Sequence, residues 1–322
     1  MSSSIEGGRP PRVSVGLPVR NGEKYLRRAL DCLLAQDFGE FEIVISDNAS
    51  SDGTQEICND YAARDPRVRY HRSESDRGLA WNHNRTFELA RGPYFKWAAH
   101  DDEHEPTYLS SCLAVLDADE SVVCCHSASV VIDETGAELR RWPARPRTAS
   151  PATHVRLREV LRPHPASLMY GVMRADALRR TGLHRPFPDS DHALLAELAL
   201  LGRLVEVPEP LFRRRSHPES SIRAFPTARA RWRYFTGQAG APRSLPGWPL
   251  NREMIRIVHR SPTHGRERAL CWLALARWFL RKPPRLAARG LETALTAAGR
   301  EDAAAYVRRP WRLLSGVRGK RR

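Results

Sequence analysis

No stretch of this 322-residue chain approaches the roughly 18–20 uninterrupted apolar residues that a bilayer-spanning helix requires. The first residues, MSSSIEGGRPPR, lack the apolar run of a secretory signal. The six cysteines form no C-x-x-C pair and follow no zinc spacing, and most sit in apolar contexts where a free thiol acts as a small hydrophobe. A reduced, cytoplasmic protein is the expectation. Lysine is also scarce: only Lys24, Lys96, Lys282 and Lys320 stand among the 52 basic residues, so the positive charge is almost wholly guanidinium. With 41% apolar and 28% charged residues, the composition excludes a disordered tail, a collagen-like repeat and a small disulfide scaffold.

The charge is unevenly divided. Residues 1–222 hold 29 basic and 32 acidic groups, a net of −3, whereas residues 223–322 hold 23 basic and 5 acidic groups, a net of +18. This predicts an α/β body over 1–222 and a basic, mainly helical region over 223–322 with an anionic partner, either a membrane surface or nucleic acid. The basic region has no nucleic-acid motif, and its arginines are interleaved with apolar helical residues, which disfavours nucleic acid. Five of the eight tryptophans lie there. The segment Ala269 to Leu280 (ALCWLALARWFL) reads either as a core helix or as a helix lying on an anionic surface, which would place the protein peripherally at an inner membrane face.

Along the body, residues 12–19, 41–46, 68–71 and 94–98 read as strands, and 23–34, 54–64 and 79–90 as the helices between them. A helix over 107–117, strands over 121–127, 168–172 and 205–207, and a helix over 191–201 follow, with 128–165 irregular and forming a flap or a hairpin. The alternation predicts an α/β domain with a mainly parallel sheet and right-handed crossovers. In such sheets ligands sit beyond the carboxyl ends of the strands. Three polar clusters fall there: Arg20-Asn21-Gly22-Glu23, Asp47 to Thr54, and His100 to Glu103. Each alone reads as an ordinary turn; three on one edge point to a site.

The ordered set PVRNG (18–22), DNASSDGT (47–54), RGLAWNHN (77–84), HDDEHEP (100–106) and PDSDHALLAELALLG (188–202) resembles a family-2 glycosyltransferase over about residues 11–222. The resemblance implies a GT-A fold, a nucleotide-sugar donor and an inverting transfer to the hydroxyl of a glycan, glycolipid or lipid-linked saccharide. It further implies that Asp47 binds the base, that Pro18, Arg20 and Asn21 cover the nucleotide, and that Arg77 lies near the base or diphosphate. Asp52 belongs to the same loop and reads equally as a helix cap. Asn84 matches a position expected to be a structural hydrogen-bonding residue.

A diphosphate leaving group needs its charge neutralised, and a divalent cation (Mg or Mn) held by one or two carboxylates does that. Where the family has Asp-x-Asp, this chain has Ala99-His100-Asp101, so Asp101 is the expected metal ligand, with Asp102 beside it and His217 as a further ligand. The acids also suit the N-terminus of the following helix. Asp191, with Asp189 behind it, is the expected base that takes the acceptor proton. Arg214 and Arg215 are expected near the diphosphate, and His164 to Gly171 on the acceptor side. Two rival readings follow from the same residues. A nucleotidyltransferase would need a Gly-rich triphosphate cradle, and PVRNGEKY has a single Gly. A nucleic-acid- or anionic-surface-binding protein with a non-catalytic nucleotide-binding domain would use the basic region instead.

Overall fold

The computed structural model describes residues 10–280 apart from 143, 145, 163–165, 219–223, 226 and 240–246. Its first half alternates strictly: β1 (Val13–Val19), α1 (Glu23–Leu34), β2 (Phe41–Asp47), α2 (Thr54–Arg64), β3 (Val68–Arg72), α3 (Leu79–Glu88) and β4 (Tyr94–Trp97). These strands pair in parallel in the order β3-β2-β1-β4. Every residue of β1 and β2 is buried, as expected of strands covered by helices on both faces. Helix α1 turns Tyr25, Leu26, Ala29, Leu30 and Leu33 inward, the 3.6-residue period of an amphipathic helix. Helix α3 lies close on β1: a Cβ at Gly16 would come within 2.5 Å of Thr86 and Phe95, so only glycine fits there.

The second half makes the sheet mixed. It comprises β5 (Glu103–His104), α4 (Tyr108–Ala118), β6 (Val122–Ile132), β7 (Glu138–Arg141), α5 (Thr153–Val160), β8 (Val172–Arg174), α6 (Ala175–Arg179), α7 (Ser190–Leu201) and β9 (Arg203–Arg215). β6 runs parallel to β9, while β8 joins β4 to β6 antiparallel and β5 adds antiparallel to β9. Three expectations are corrected here. The region 128–165 is largely regular, because β6 continues to Ile132 and folds back through β7, and α5 follows. The strand read at 168–172 begins only at Val172; Ala166–Leu168 is a 3-10 turn, closed by bonds from the N–H groups of Tyr170 and Gly171 to Ser167 and Leu168. The three-residue strand at 205–207 is part of the thirteen-residue β9, whose Pro208 and Pro210 are absorbed by a register shift opposite Ser127–Ser129.

Three further helices, α8 (Ala228–Thr236), α9 (Trp248–Arg260) and α10 (Gly265–Leu280), belong to the basic region. Leu250, Met254, Ile257 and Val258 of α9 and Cys271 and Leu275 of α10 share one apolar cluster with Leu194, Leu195 and Leu198 of α7. The core of the body thus continues into the described part of the basic region. In α10, Trp272, Trp278 and Phe279 pack against that cluster, while Leu273 and Leu280 stay exposed. Among the described residues, no helix is long and apolar enough to cross a membrane. Residues 281–322 of the expected basic region lie outside the described part, as do residues 163–165 of the expected acceptor-side stretch.

Burial also sets a pH dependence. His83 of α3 donates from Nδ1 to the Leu79 carbonyl at 3.0 Å and packs beside His184 and Trp97. Burial lowers its pKa from 6.5 to about 4. The unfolded chain then binds the extra proton between those values, so this contribution to stability is complete above pH 6.5 and is lost as pH falls towards 4. Urea unfolding is expected to weaken by up to about 3 kcal/mol over that window. His83→Gln should flatten the slope; an identical slope in the variant would assign it to other groups.

Candidate active site

The loops at the carboxyl ends of the parallel strands are stitched to one another by side chains. Asn21, in the left-handed region at φ 53°, gives its backbone N–H to Ser50 Oγ and accepts the Ser51 N–H on its Oδ1, both at 2.9 Å. Asp52 accepts from the N–H and hydroxyl of Thr54 and, with its other oxygen, from the Glu23 N–H at 3.1 Å. Burial opposes ionisation of Asp52, but these bonds outweigh it and hold its carboxyl below the ordinary value. Asp52 therefore ties the starts of α1 and α2 together. Pro18 sits within β1 opposite Ser46, and Arg20 is exposed and ion-paired to Asp76 at 3.0 Å.

Asp47 is fully buried at the end of β2. Its oxygens accept from Ser50 N–H and Oγ–H, from Tyr70 Oη–H at 2.8 Å and from Arg72 at 3.1 Å. Next to it, Asn48 donates to Asp76 at 2.8 Å and accepts the Arg77 N–H at 2.9 Å, which fixes the loop after β3 against the loop after β2. The Arg77 guanidinium lies 4.3 Å over the Trp81 ring. Asn82 of α3 donates to the Val19 carbonyl at 3.1 Å, and Asn84 exchanges two hydrogen bonds with the backbone of His184. α3 thereby links the end of β1 to the segment that enters α7.

The acidic loop is held from the far end of the chain. Asp101 Oδ2 accepts from His217 Nε2 at 2.8 Å, and the His217 ring stands edge-on to Tyr25. Burial works against the charge of Asp101, but His100 and His217 outweigh it and keep its carboxyl below the ordinary range. Asp102 faces inward, where it accepts the Arg215 N–H at 2.8 Å, and burial together with the charge of Asp101 raises its pKa. The Arg215 guanidinium bonds the carbonyls of Asp101, Asp133 and Glu134 and the carboxylate of Glu103. Arg215, expected near the diphosphate, is thus engaged wholly inside the protein, as the anchor of the loop.

Below the loop, fully buried Lys96 bonds the Trp97 carbonyl and His104 Nε2, and burial lowers its pKa to about 7. Asp191 lies in the first turn of α7, after Asp189 at φ 64°. Burial raises its pKa, with Asp189 adding to the effect and His192 opposing it.

Local pattern does not single out Asn48 or Asp76, nor does it show that Arg215, expected near the diphosphate, turns inward. In the run Arg213-Arg214-Arg215 strand alternation turns alternate residues to opposite faces. A lysine in the apolar run Tyr94–Trp97 was a readable signal, because lysine is almost never fully buried without a partner.

Asp101 and His217 provide a two-donor set, and no group of three or more His, Cys, Asp or Glu forms a metal cluster among the described residues. Two protein donors fit a hard divalent ion that keeps water and takes its other ligands from substrate phosphates.

Comparison with known proteins bears on these loops. Glycosyl transferase family 2 matches residues 14–175. Chondroitin synthase from Escherichia coli is 32% identical over 138 residues, 42% of this chain and 20% of that protein. Hyaluronan synthase from Pasteurella multocida is 30% identical over 156 residues, 46% of this chain and 16% of that protein. The matched segments therefore span about a fifth or less of these two relatives. Among solved structures, S. aureus TarS 1-349 in complex with UDP-GlcNAc superposes with a TM-score of 0.60 at 15% identity, covering 94% of this chain and 92% of that one. The mannosyltransferase PcManGT from Pyrobaculum calidifontis, in complex with GDP-Man and Mn2+, gives 0.57 at 20% identity, covering 95% and 81%. These likenesses show a shared GT-A fold.

Proposed function

The chain belongs to glycosyl transferase family 2, and from that premise we propose that it moves a sugar from a nucleotide-diphosphate sugar to an acceptor hydroxyl, with inversion at the anomeric carbon. The observation that carries this reading is the convergence at one sheet edge of the loops after β1, β2, β3 and β4, with Asp101 against His217. The loops 18–22 and 47–54, braced by Asn21, Asp47 and Asp52, form the nucleotide side, which the Arg77 backbone closes through Asn48 while its guanidinium lies over Trp81. Because Asp47 and Asp52 already accept several bonds, their contribution is to hold the loop backbone in the shape that receives the nucleotide.

Asp101 and His217 would hold a divalent ion, Mg or Mn. When bound, that ion supplies charge neutralisation for the departing nucleoside diphosphate. Arg215 and Asp102 keep Asp101 in place through the loop backbone. Asp191 accepts the proton of the attacking hydroxyl, and its raised pKa makes it a stronger base than an exposed carboxylate.

The acceptor is a glycan, glycolipid or lipid-linked saccharide. The net charge of +18 over residues 223–322, with Leu273 and Leu280 exposed on α10, supports an enzyme held at an anionic inner membrane face. The test is binding and slow hydrolysis of UDP-, GDP- and dTDP-sugars with Mn²⁺, Mg²⁺ or chelator. One nucleotide is expected to bind in a metal-dependent way, and absence of binding by all of them would refute the reading.

A further inference from the structure

Apart from the loops described above, a cleft of about 650 Å³ opens at the edge of the sheet, lined by Ser46, His71, Arg72, Arg77, Trp81 and Arg85 among others. It is assembled from residues of β2, β3 and α3. Ser46 and His71 are register partners on adjacent strands, so they share one face, and strand alternation turns Asp47 to the other. Tyr70 and Arg72, which also line the cleft, bond the Asp47 carboxylate, so the cleft wraps the edge strand β3 next to that residue. It contains none of Asp101, Asp191 or His217. The segment Ser73 to Arg77 is its rim towards the nucleotide-side loops.

The cleft holds an excess of positive charge. Arg72 is paired with Asp47 and Arg85 with Glu88, but Arg77 makes no ion pair among the described residues. His71 Nε2 is out of reach of solvent and has no hydrogen-bond partner. Burial, reinforced by Arg69, Arg85 and Arg91, holds the His71 pKa below 6.5. Trp81 contributes a flat apolar ring, and the volume lies in the range of small-molecule sites. An aromatic ring beside the unneutralised guanidinium of Arg77 suits a ligand with an apolar C–H face and a negative group.

We propose that this cleft is a subsite for an anionic sugar, a residue of the acceptor bearing a carboxylate or phosphate and remote from the reacting hydroxyl. Arg77 and Arg85 receive the anion and Trp81 the sugar face. The assignment rests on the glycosyltransferase reading, since it names a class of acceptor.

Calorimetry and the indole N–H resonance of Trp81 test it with four probes: a hexuronic acid, a hexose 6-phosphate, the neutral hexose and inorganic phosphate. Both charged sugars are expected to bind and to move the Trp81 signal, at least about tenfold tighter than the neutral hexose. Arg85→Gln, at a half-exposed position, should weaken them about tenfold, the effect of one lost charge-assisted hydrogen bond. Its nucleotide-sugar hydrolysis should equal that of the wild type.

The proposal is overturned if the neutral hexose binds as tightly as the charged sugars, or if Arg85→Gln changes nothing. It is overturned too if inorganic phosphate matches the hexose phosphate, which would mark an adventitious anion site. Donor hydrolysis without any binding of anionic sugar removes the subsite and leaves the transferase reading standing. Anionic-sugar binding without any nucleotide-sugar binding removes the transferase reading, and with it the acceptor role of the cleft.

Discussion

Asp191→Asn is expected to lower the rate of sugar transfer by about 10²–10⁴-fold while leaving donor binding nearly unchanged. The amide keeps the size of the side chain and cannot accept the proton of the acceptor hydroxyl. The raised pKa of Asp191 has a physical cause, because burial at the start of α7 disfavours its charged form. Transfer in the wild type should therefore fall on the acid side at a pH above the ordinary carboxylate value of 3.8, as the base becomes protonated. Single-turnover transfer measured across pH, beside donor affinity, checks both points. A variant that keeps its rate within about fivefold would move the base to another residue, with Asp189 first in line.

Asp101→Ala is expected to abolish the metal dependence of nucleotide binding and to weaken affinity in the presence of Mn²⁺ by about 100-fold or more, the scale on which damage to a metal site is felt. The loss is expected to be large because Ala99 stands where the family pattern has its first Asp, so no second carboxylate of that pattern can substitute. Asp102 cannot take over easily, since it faces inward to the Arg215 N–H. His217→Gln should produce a smaller loss of the same kind. The measurement is nucleotide affinity with Mn²⁺ and with chelator for each protein. Equal affinity of the wild type under both conditions would show that the diphosphate is bound without a metal.

The legible part of the site was the part written in short windows. The motifs around Asp47, Asp52 and Asp101 follow strands whose β-branched runs end at turn formers, and that pattern is local. Asn84 was also readable as a structural hydrogen-bonding residue, although its partner, the backbone of His184, was not. The second half of the fold was less legible. β6 and β7 form a hairpin through Asp133 to Ala137, one of the two readings of that stretch, because Asp133 Oδ1 accepts from the N–H groups of Thr135 and Ala137. Pro208 and Pro210 argued for a break after Val207, but a bulge let β9 continue to Arg215.

The sequence by itself determined the order of elements from β1 to β4, the edge of the sheet where the loops gather, and the kind of chemistry their residues support. Hydrophobic period and turn chemistry act between neighbours, so they leave a mark that can be read without the fold. Only the tertiary structure decided which of those residues meet. Asp101 and His217 are separated by 116 positions, and Arg215 reaches Asp101, Asp133 and Glu134 from a strand that pairs with β5 and β6. The cleft beside Trp81 is assembled from residues of β2, β3 and α3. Such contacts depend on chain closure over long distances, and the identity of either residue alone carries no trace of it.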